Sequence, residues 1–135
     1  MPAYTSQQLI EISKHTIRLL DEWGLDGKQV IEILALPNKI KPRHLDRFRD
    51  GEAFPHDEII MSRIEHITGI ADALRTSFPR NAHMGVIWMR TPHKRFHNQT
   101  PLQLLIKQGL SGLLQVRAEL DCAFAWDASQ SNKDL

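Results

Sequence analysis

Apolar residues recur along most of this chain at intervals of three and four, and no stretch alternates with the period of two that a strand requires. Leu9, Ile12, Thr16, Leu20 and Trp23 form the first helical series, with Gly24 as its stop. Asp26 suits the N-cap of a second, short helix that buries Val30, Ile33 and Leu34 and ends before Pro37. Within residues 41–51, Pro42 fits a first helical turn and Gly51 an end, leaving Leu45 and Phe48 facing inward. The most regular stripe is Ile60, Ile64, Ile67, Ala71, Leu74 and Phe78. Asp57 and Glu58 stand in its first turn, where the helix dipole favours them. Gly69 leaves open whether that helix bends or splits, and Pro79 ends it.

Beyond Pro79 the pattern resumes. Residues 82–89 are apolar enough to be buried on more than one side, and a polar loop follows over 90–99. Thr100-Pro101-Leu102-Gln103 reads as a capping box with proline at the first helical position. Gly109 matches a helix stop, so Leu102, Leu105 and Ile106 form the buried stripe of a helix of about two turns. A last helix from about Ser111 buries Leu113, Val116, Leu120 and Phe124, and residues 127–135 form a polar tail expected to be flexible. The pattern predicts an all-α chain divided at 79/80 into regions 1–79 and 80–126, plus the tail 127–135.

Composition narrows the class only a little. The 135 residues are 41% hydrophobic with a formal net charge of +1, ordinary for a globular protein. The single Cys122 forms no internal disulfide and reads as a buried, inert thiol in a reducing compartment. The first residues lack a charged-then-apolar signal arrangement, and no apolar run approaches a membrane span, so a cytoplasmic, soluble protein is expected. Charge distribution says more than its sum. No acidic residue occurs between Asp72 and Glu119, where Arg75, Arg80, Arg90, Lys94, Arg95, Lys107 and Arg117 all lie. Such a run attracts an acidic protein surface or nucleic acid.

The candidate chemistry is that of binding rather than catalysis. Two short helices joined by a turn, with inward Leu45 and Phe48, resemble a helix-turn-helix. Its outward cations, Lys39, Lys41, Arg43, His44 and Arg47, are the candidate DNA contacts; a solvated basic face on a packing helix is the alternative. The turn is long, holding Pro37, Asn38, Lys39, Ile40, Lys41 and Pro42. His93 and His97 are four apart but lie in a loop without a further ligand, so no metal site is assigned. No glycine-flanked serine, phosphate-cradling loop or paired-carboxylate arrangement occurs, and no catalytic residue or cofactor is assigned. Trp88 reads as core, and Trp126 as either a cap on the core or an aromatic anchor for a partner.

The second half carries a resemblance. Trp88, Arg90-Thr91-Pro92, a polar loop, Thr100-Pro101-Leu102-Gln103-Leu104-Leu105, Gly109, Val116, Leu120 and Ala123-Phe124-Ala125 resemble the toxin-binding domain of Xre/MbcA/ParS-type antitoxins. The first half is similar in layout to the Xre-like helix-turn-helix that precedes it, through Trp23-Gly24-Leu25, Arg47-Phe48-Arg49-Asp50-Gly51, Arg63-Ile64 and Gly69-Ile70. Ala35 stands where a glycine often ends the first helix of that motif, and His97-Asn98 replaces a more glycine-rich loop. The resemblance implies an Xre-like bundle over 1–79 and a small helical toxin-binding domain over 80–126. It also implies a partner toxin of the RES type, which consumes NAD. Trp88, Arg90, Phe96, Pro101, Leu102, Leu105, Phe124 and Trp126 are then the candidate toxin contacts, with Phe124, Trp126 and the tail towards the toxin's active-site entrance.

The preferred reading is therefore a homodimeric antitoxin that blocks a RES-type toxin and represses its own operon through operator DNA. A solitary helix-turn-helix regulator and a toxin-binding module that has lost DNA binding are the competing readings.

Overall fold

Thr5 starts the first helix by a reciprocal pair of bonds: its hydroxyl accepts the Gln8 N–H at 3.1 Å, and Gln8 Oε1 accepts the Thr5 N–H at 2.8 Å. Caps of this kind open two further helices in the computed structural model, which describes the backbone of residues 4–133 and the side chains of residues 4–122. The described chain is all-α: α1 (Ser6–Glu22), α2 (Gly27–Leu34), α3 (Leu45–Asp50), α4 (Glu58–Ser77), α5 (Ala82–Met89), α6 (Pro101–Gln108) and α7 (Leu110–Lys133). Short 3-10 turns at Pro42–His44 and Lys94–Phe96 precede α3 and α6. Its contacts divide into two units, Met1–Glu65 and His66–Leu135.

In the first unit, Asp26 caps α2 by accepting the Gln29 N–H at 2.8 Å, as its position before an apolar stripe predicts. Leu20, Val30, Ile33, Leu34, Leu45 and Phe48 are almost fully buried, so three helices seat their stripes in one core. Polar ties fix the joins. Ser13 Oγ donates to Leu9 O and accepts the Phe54 N–H at 2.8 Å, fastening the segment after α3 onto α1. Arg63 donates to Ile33 O at 3.1 Å and so satisfies a carbonyl at the end of α2. Arg49 grips Asp21 through two bonds of 2.8 and 2.9 Å and also bonds Asp46.

The second unit contains the C-terminal part of α4 together with α5, α6 and α7. Ile67, Ile70, Ala71 and Leu74 continue the buried stripe through Gly69 without a break in the helix. A Cβ on Gly69 would overlap the Arg117 guanidinium, so the missing side chain makes room for α7 rather than for a bend. Gly85 of α5 lies where a Cβ would be 3.3 Å from Leu74 Cβ, bringing α5 close onto the end of α4. Leu104, Leu105, Leu113, Val116 and Leu120 complete this core.

Three expectations change. α5 buries one side only: Gly85 and Met89 are covered, while Met84 and Ile87 are exposed. Cys122 is exposed, because the buried stripe of α7 runs through Leu113, Val116 and Leu120 and leaves position 122 on another side. The backbone of α7 remains helical to Lys133, through most of the segment read as a flexible tail; that segment has no proline or glycine to stop it. α4 ends at Ser77, before Pro79, and the contact units meet within it, after Glu65.

Candidate functional site

The capped helix α6 is held in place by its ends. Thr100 Oγ1 accepts the Gln103 N–H at 3.0 Å, and Gln103 Oε1 accepts the Thr100 N–H at 2.8 Å. Pro101 occupies the first turn, where its missing N–H costs nothing. Gly109, with φ +55°, turns the chain directly into α7. Three residues later, Gly112 sits so close to the backbone of Leu104 that any Cβ would overlap the Leu104 carbonyl.

The loop before α6 closes on itself. His93 and Gln99 form an isolated antiparallel bridge, with the His93 N–H donating to Gln99 O at 3.2 Å. His97 and Asn98 both take the left-handed conformation at φ +55° and +65°, where glycine is the usual occupant. Asn accepts that region more readily than most residues. Inside the loop the His93 ring stacks at 32° on Trp88 with centroids 4.8 Å apart, and its Nε2 lies 3.0 Å from Trp88 O. Phe96 meets both rings edge-on, at 6.2 Å from Trp88 and 6.1 Å from His93.

This aromatic cluster forms one wall of a half-open cleft of about 600 Å³. Thr76, Ser77 and Phe78 from the end of α4 bound it on one side, and Glu119 and Leu120 of α7 on another. Lys94 and Arg95 stand in its lining. Arg95 Nε lies 3.2 Å from Glu119 Oε1, with the arginine side chain 75% exposed and the glutamate 23% exposed, so this pair sits at the solvent edge.

The residues singled out from the sequence separate into two roles. Arg90 is exposed and Trp88 half-buried, so both leave side-chain surface accessible. Phe96, Pro101, Leu102 and Leu105 are buried; Phe96 shows only a ring edge in the cleft wall, and the other three lie beneath the surface. The side chains of Phe124 and Trp126 lie outside the described residues. Sequence reasoning missed Phe78 and Glu119 as cleft residues, and Leu110 and Leu114 as exposed apolar side chains on α7. Phe78 had a signal, since it closes the α4 stripe past the last buried position; Glu119 had one too, as the first acidic residue after Asp72.

In the first unit, Lys39, Lys41, Arg43 and Arg47 are exposed around the turn from α2 to α3, and His44 is half-buried among them. His44 Nδ1 accepts the Lys41 N–H at 3.0 Å and so closes the 3-10 turn ahead of α3. Partial burial holds the imidazole below its ordinary pKa, and Arg47, Arg43 and Lys41 push in the same direction, against a smaller opposite pull from Glu52. Arg49 is different. Its bonds to Asp21 hold its proton even more firmly than usual, so it fastens α3 to α1 instead of reaching outward. A second cleft of about 390 Å³ lies beside Lys39, Arg47, Phe48 and Pro55.

Among the described residues no group of three His, Cys, Asp or Glu side chains converges to hold a metal ion, and no helix is long and apolar enough to cross a membrane. A comparison with curated proteins finds no match. Residues 73–122, the segment that builds the aromatic cleft, match the family model of the antitoxin Xre/MbcA/ParS C-terminal toxin-binding domain, and this similarity supports an antitoxin role in a toxin–antitoxin system.

Proposed function

We propose that this protein is the antitoxin of a RES-type, NAD-consuming toxin, acts in the cytoplasm as a homodimer, and represses its own operon by binding operator DNA. The observation that carries the reading is the family match over 73–122, on a surface whose partner-facing residues are preformed. The bonds that cap α6 and close the 93–99 loop remove the entropy cost of ordering those segments on binding. Trp88 and Arg90 make direct contact with the toxin, and Phe96, Pro101, Leu102 and Leu105 hold them in register. Phe124 and Trp126, further along α7, obstruct entry of NAD to the toxin, as the family resemblance implies.

DNA recognition belongs to the first unit. Lys39, Lys41, Arg43, His44 and Arg47 lie on one exposed turn and helix, which suits phosphate and base-edge contacts from a helix-turn-helix. The region division of 1–79 for DNA binding and 80–126 for toxin binding accompanies this reading.

The test is affinity purification of the tagged chain from its native cells with identification of stoichiometric partners. Co-purification of a single protein with an NAD-consuming activity that the chain inhibits supports the reading. Absence of such a partner in cells that express the neighbouring gene leaves the solitary regulator. A chain that inhibits the toxin equally well after truncation at Asp121 removes the obstructing role of Phe124 and Trp126. Retained inhibition with no operator binding identifies a toxin-binding module without DNA function.

A further inference from the structure

The aromatic cleft has a specific chemistry that the toxin-binding reading alone does not supply. Its apolar wall is rigid, because Trp88, His93 and Phe96 hold one another at ring distances of 4.8 to 6.2 Å. Its edge is cationic. Lys94, in its lining, has no side-chain partner among the described residues. Arg95 is held only by Glu119, the first carboxylate after Asp72. An internal carboxylate on the rim arginine marks the place that an external carboxylate takes when it displaces Glu119.

We propose that this cleft receives an apolar anchor side chain flanked by carboxylates on an acidic protein segment. The anchor packs against Trp88, Phe96 and Phe78, and the flanking carboxylates pair with Lys94 and Arg95. Charge complementarity selects this occupant over a basic or neutral segment, since residues 73–118 contain seven Lys and Arg and no acid, and the carboxylates bordering them, Asp72 and Glu119, pair only with Arg75 and Arg95. The identity of that segment as part of the toxin rests on the function proposed above; the chemistry of the cleft does not.

Two acetylated and amidated hexapeptide probes, DELFED and its neutral counterpart NQLFQN, test the chemistry without any toxin. Binding to the full chain is followed by the Trp88 indole N–H resonance in heteronuclear NMR at about 0.05 M salt, where screening of surface charges is weak. DELFED is expected to give a saturable shift of that resonance, and NQLFQN none. Glu119→Gln frees Arg95 and is expected to tighten DELFED about threefold, as an exposed ion pair is released. Lys94→Glu replaces attraction by repulsion and is expected to weaken it about tenfold. Both positions are solvent-accessible, and unchanged circular dichroism spectra establish that the variants fold. Equal shifts from the two probes, a Trp88 resonance that does not move, or a DELFED affinity that Glu119→Gln leaves unchanged or weakens each overturn the proposal. DELFED binding in a chain that co-purifies no toxin overturns the toxin reading and leaves the cleft chemistry standing.

Discussion

Gly112 of α7 and Leu104 of α6 meet main chain to main chain. A Cβ built on Gly112 would stand 2.6 Å from the Leu104 carbonyl carbon and 3.1 Å from the Leu105 nitrogen, distances that neither backbone can relieve by a rotamer change. Gly112→Ala sets two effects against each other. Alanine gains about 1 kcal/mol of helix propensity over glycine. Overpacking against rigid backbone costs about 1 to 3 kcal/mol and here acts on two helices at once. The clash wins, and urea denaturation of the variant is expected to show a loss of about 2 kcal/mol, with weakened toxin inhibition in parallel. Unchanged or raised stability would show that α6 and α7 separate at no cost.

Ala35 ends α2 in the left-handed conformation at φ +57°, ψ +39°. That conformation costs a residue with a Cβ about 1 to 2 kcal/mol. Glycine removes the cost but adds about 0.4 to 1 kcal/mol of backbone entropy to the unfolded chain. Ala35→Gly is therefore expected to stabilise the protein by about 0.5 to 1 kcal/mol, read as a raised melting temperature. A decrease would show that the Ala35 methyl contributes packing worth more than its strain.

These two positions also mark what the amino-acid order discloses and what it conceals. Helix starts were readable because the caps are local: Asp26 with Gln29, and Thr100 with Gln103, sit three residues apart in sequence and bond as that spacing requires. The stripes were readable because burial follows the helical period, from Ile60 to Leu74 without exception. Contacts between segments distant in sequence were not. Nothing near Arg49 in sequence reveals that Asp21, twenty-eight positions away, takes its guanidinium. Nothing near Glu119 reveals that it meets Arg95. For the same reason the lining of the cleft was only partly readable. Hydrophobic spacing selects residues that seek burial, and it cannot separate the core of one chain from the contact face of two; Phe96, Leu102 and Leu105 fell on the core side.

Acid is expected to loosen the turn before α3. His44 accepts the Lys41 N–H only while its Nδ1 is unprotonated, and burial together with Arg47, Arg43 and Lys41 depresses its pKa below the ordinary 6.5. The folded state thus binds fewer protons at this site than the unfolded chain, so stability rises with pH across the window. Its contribution is complete above about pH 6.5 and is lost as pH falls from there through the depressed folded value. His44→Asn keeps an acceptor at the same reach, since its Oδ1 takes the place of Nδ1, without titrating. Thermal melts of both proteins at about pH 7.5 and about pH 5 check this: the wild-type chain is expected to lose more stability on acidification than the variant. An equal loss in both would show that the His44–Lys41 bond does not carry the acid sensitivity.

Arg43 and Arg47 stand free on one short helix and its lead-in, while Arg49 of the same helix is tied to α1. Arg43 and Arg47 are exposed and make no ion pair among the described residues, whereas Arg49 is committed to Asp21 and Asp46. If the first unit binds operator DNA, each phosphate contact contributes about 0.9 to the slope of log affinity against log salt. Arg43→Ala and Arg47→Ala are each expected to weaken operator binding and, where the contact is to phosphate, to flatten that slope by about 1. Arg49→Ala is expected to do something else. It removes a two-pronged but partly exposed ion pair worth about 1 kcal/mol, lowering stability while leaving the salt slope intact. Fluorescence anisotropy of labelled operator DNA across a salt series distinguishes the three. A flat response to both Arg43→Ala and Arg47→Ala, with toxin inhibition retained, would move the protein to the reading in which only the toxin is bound.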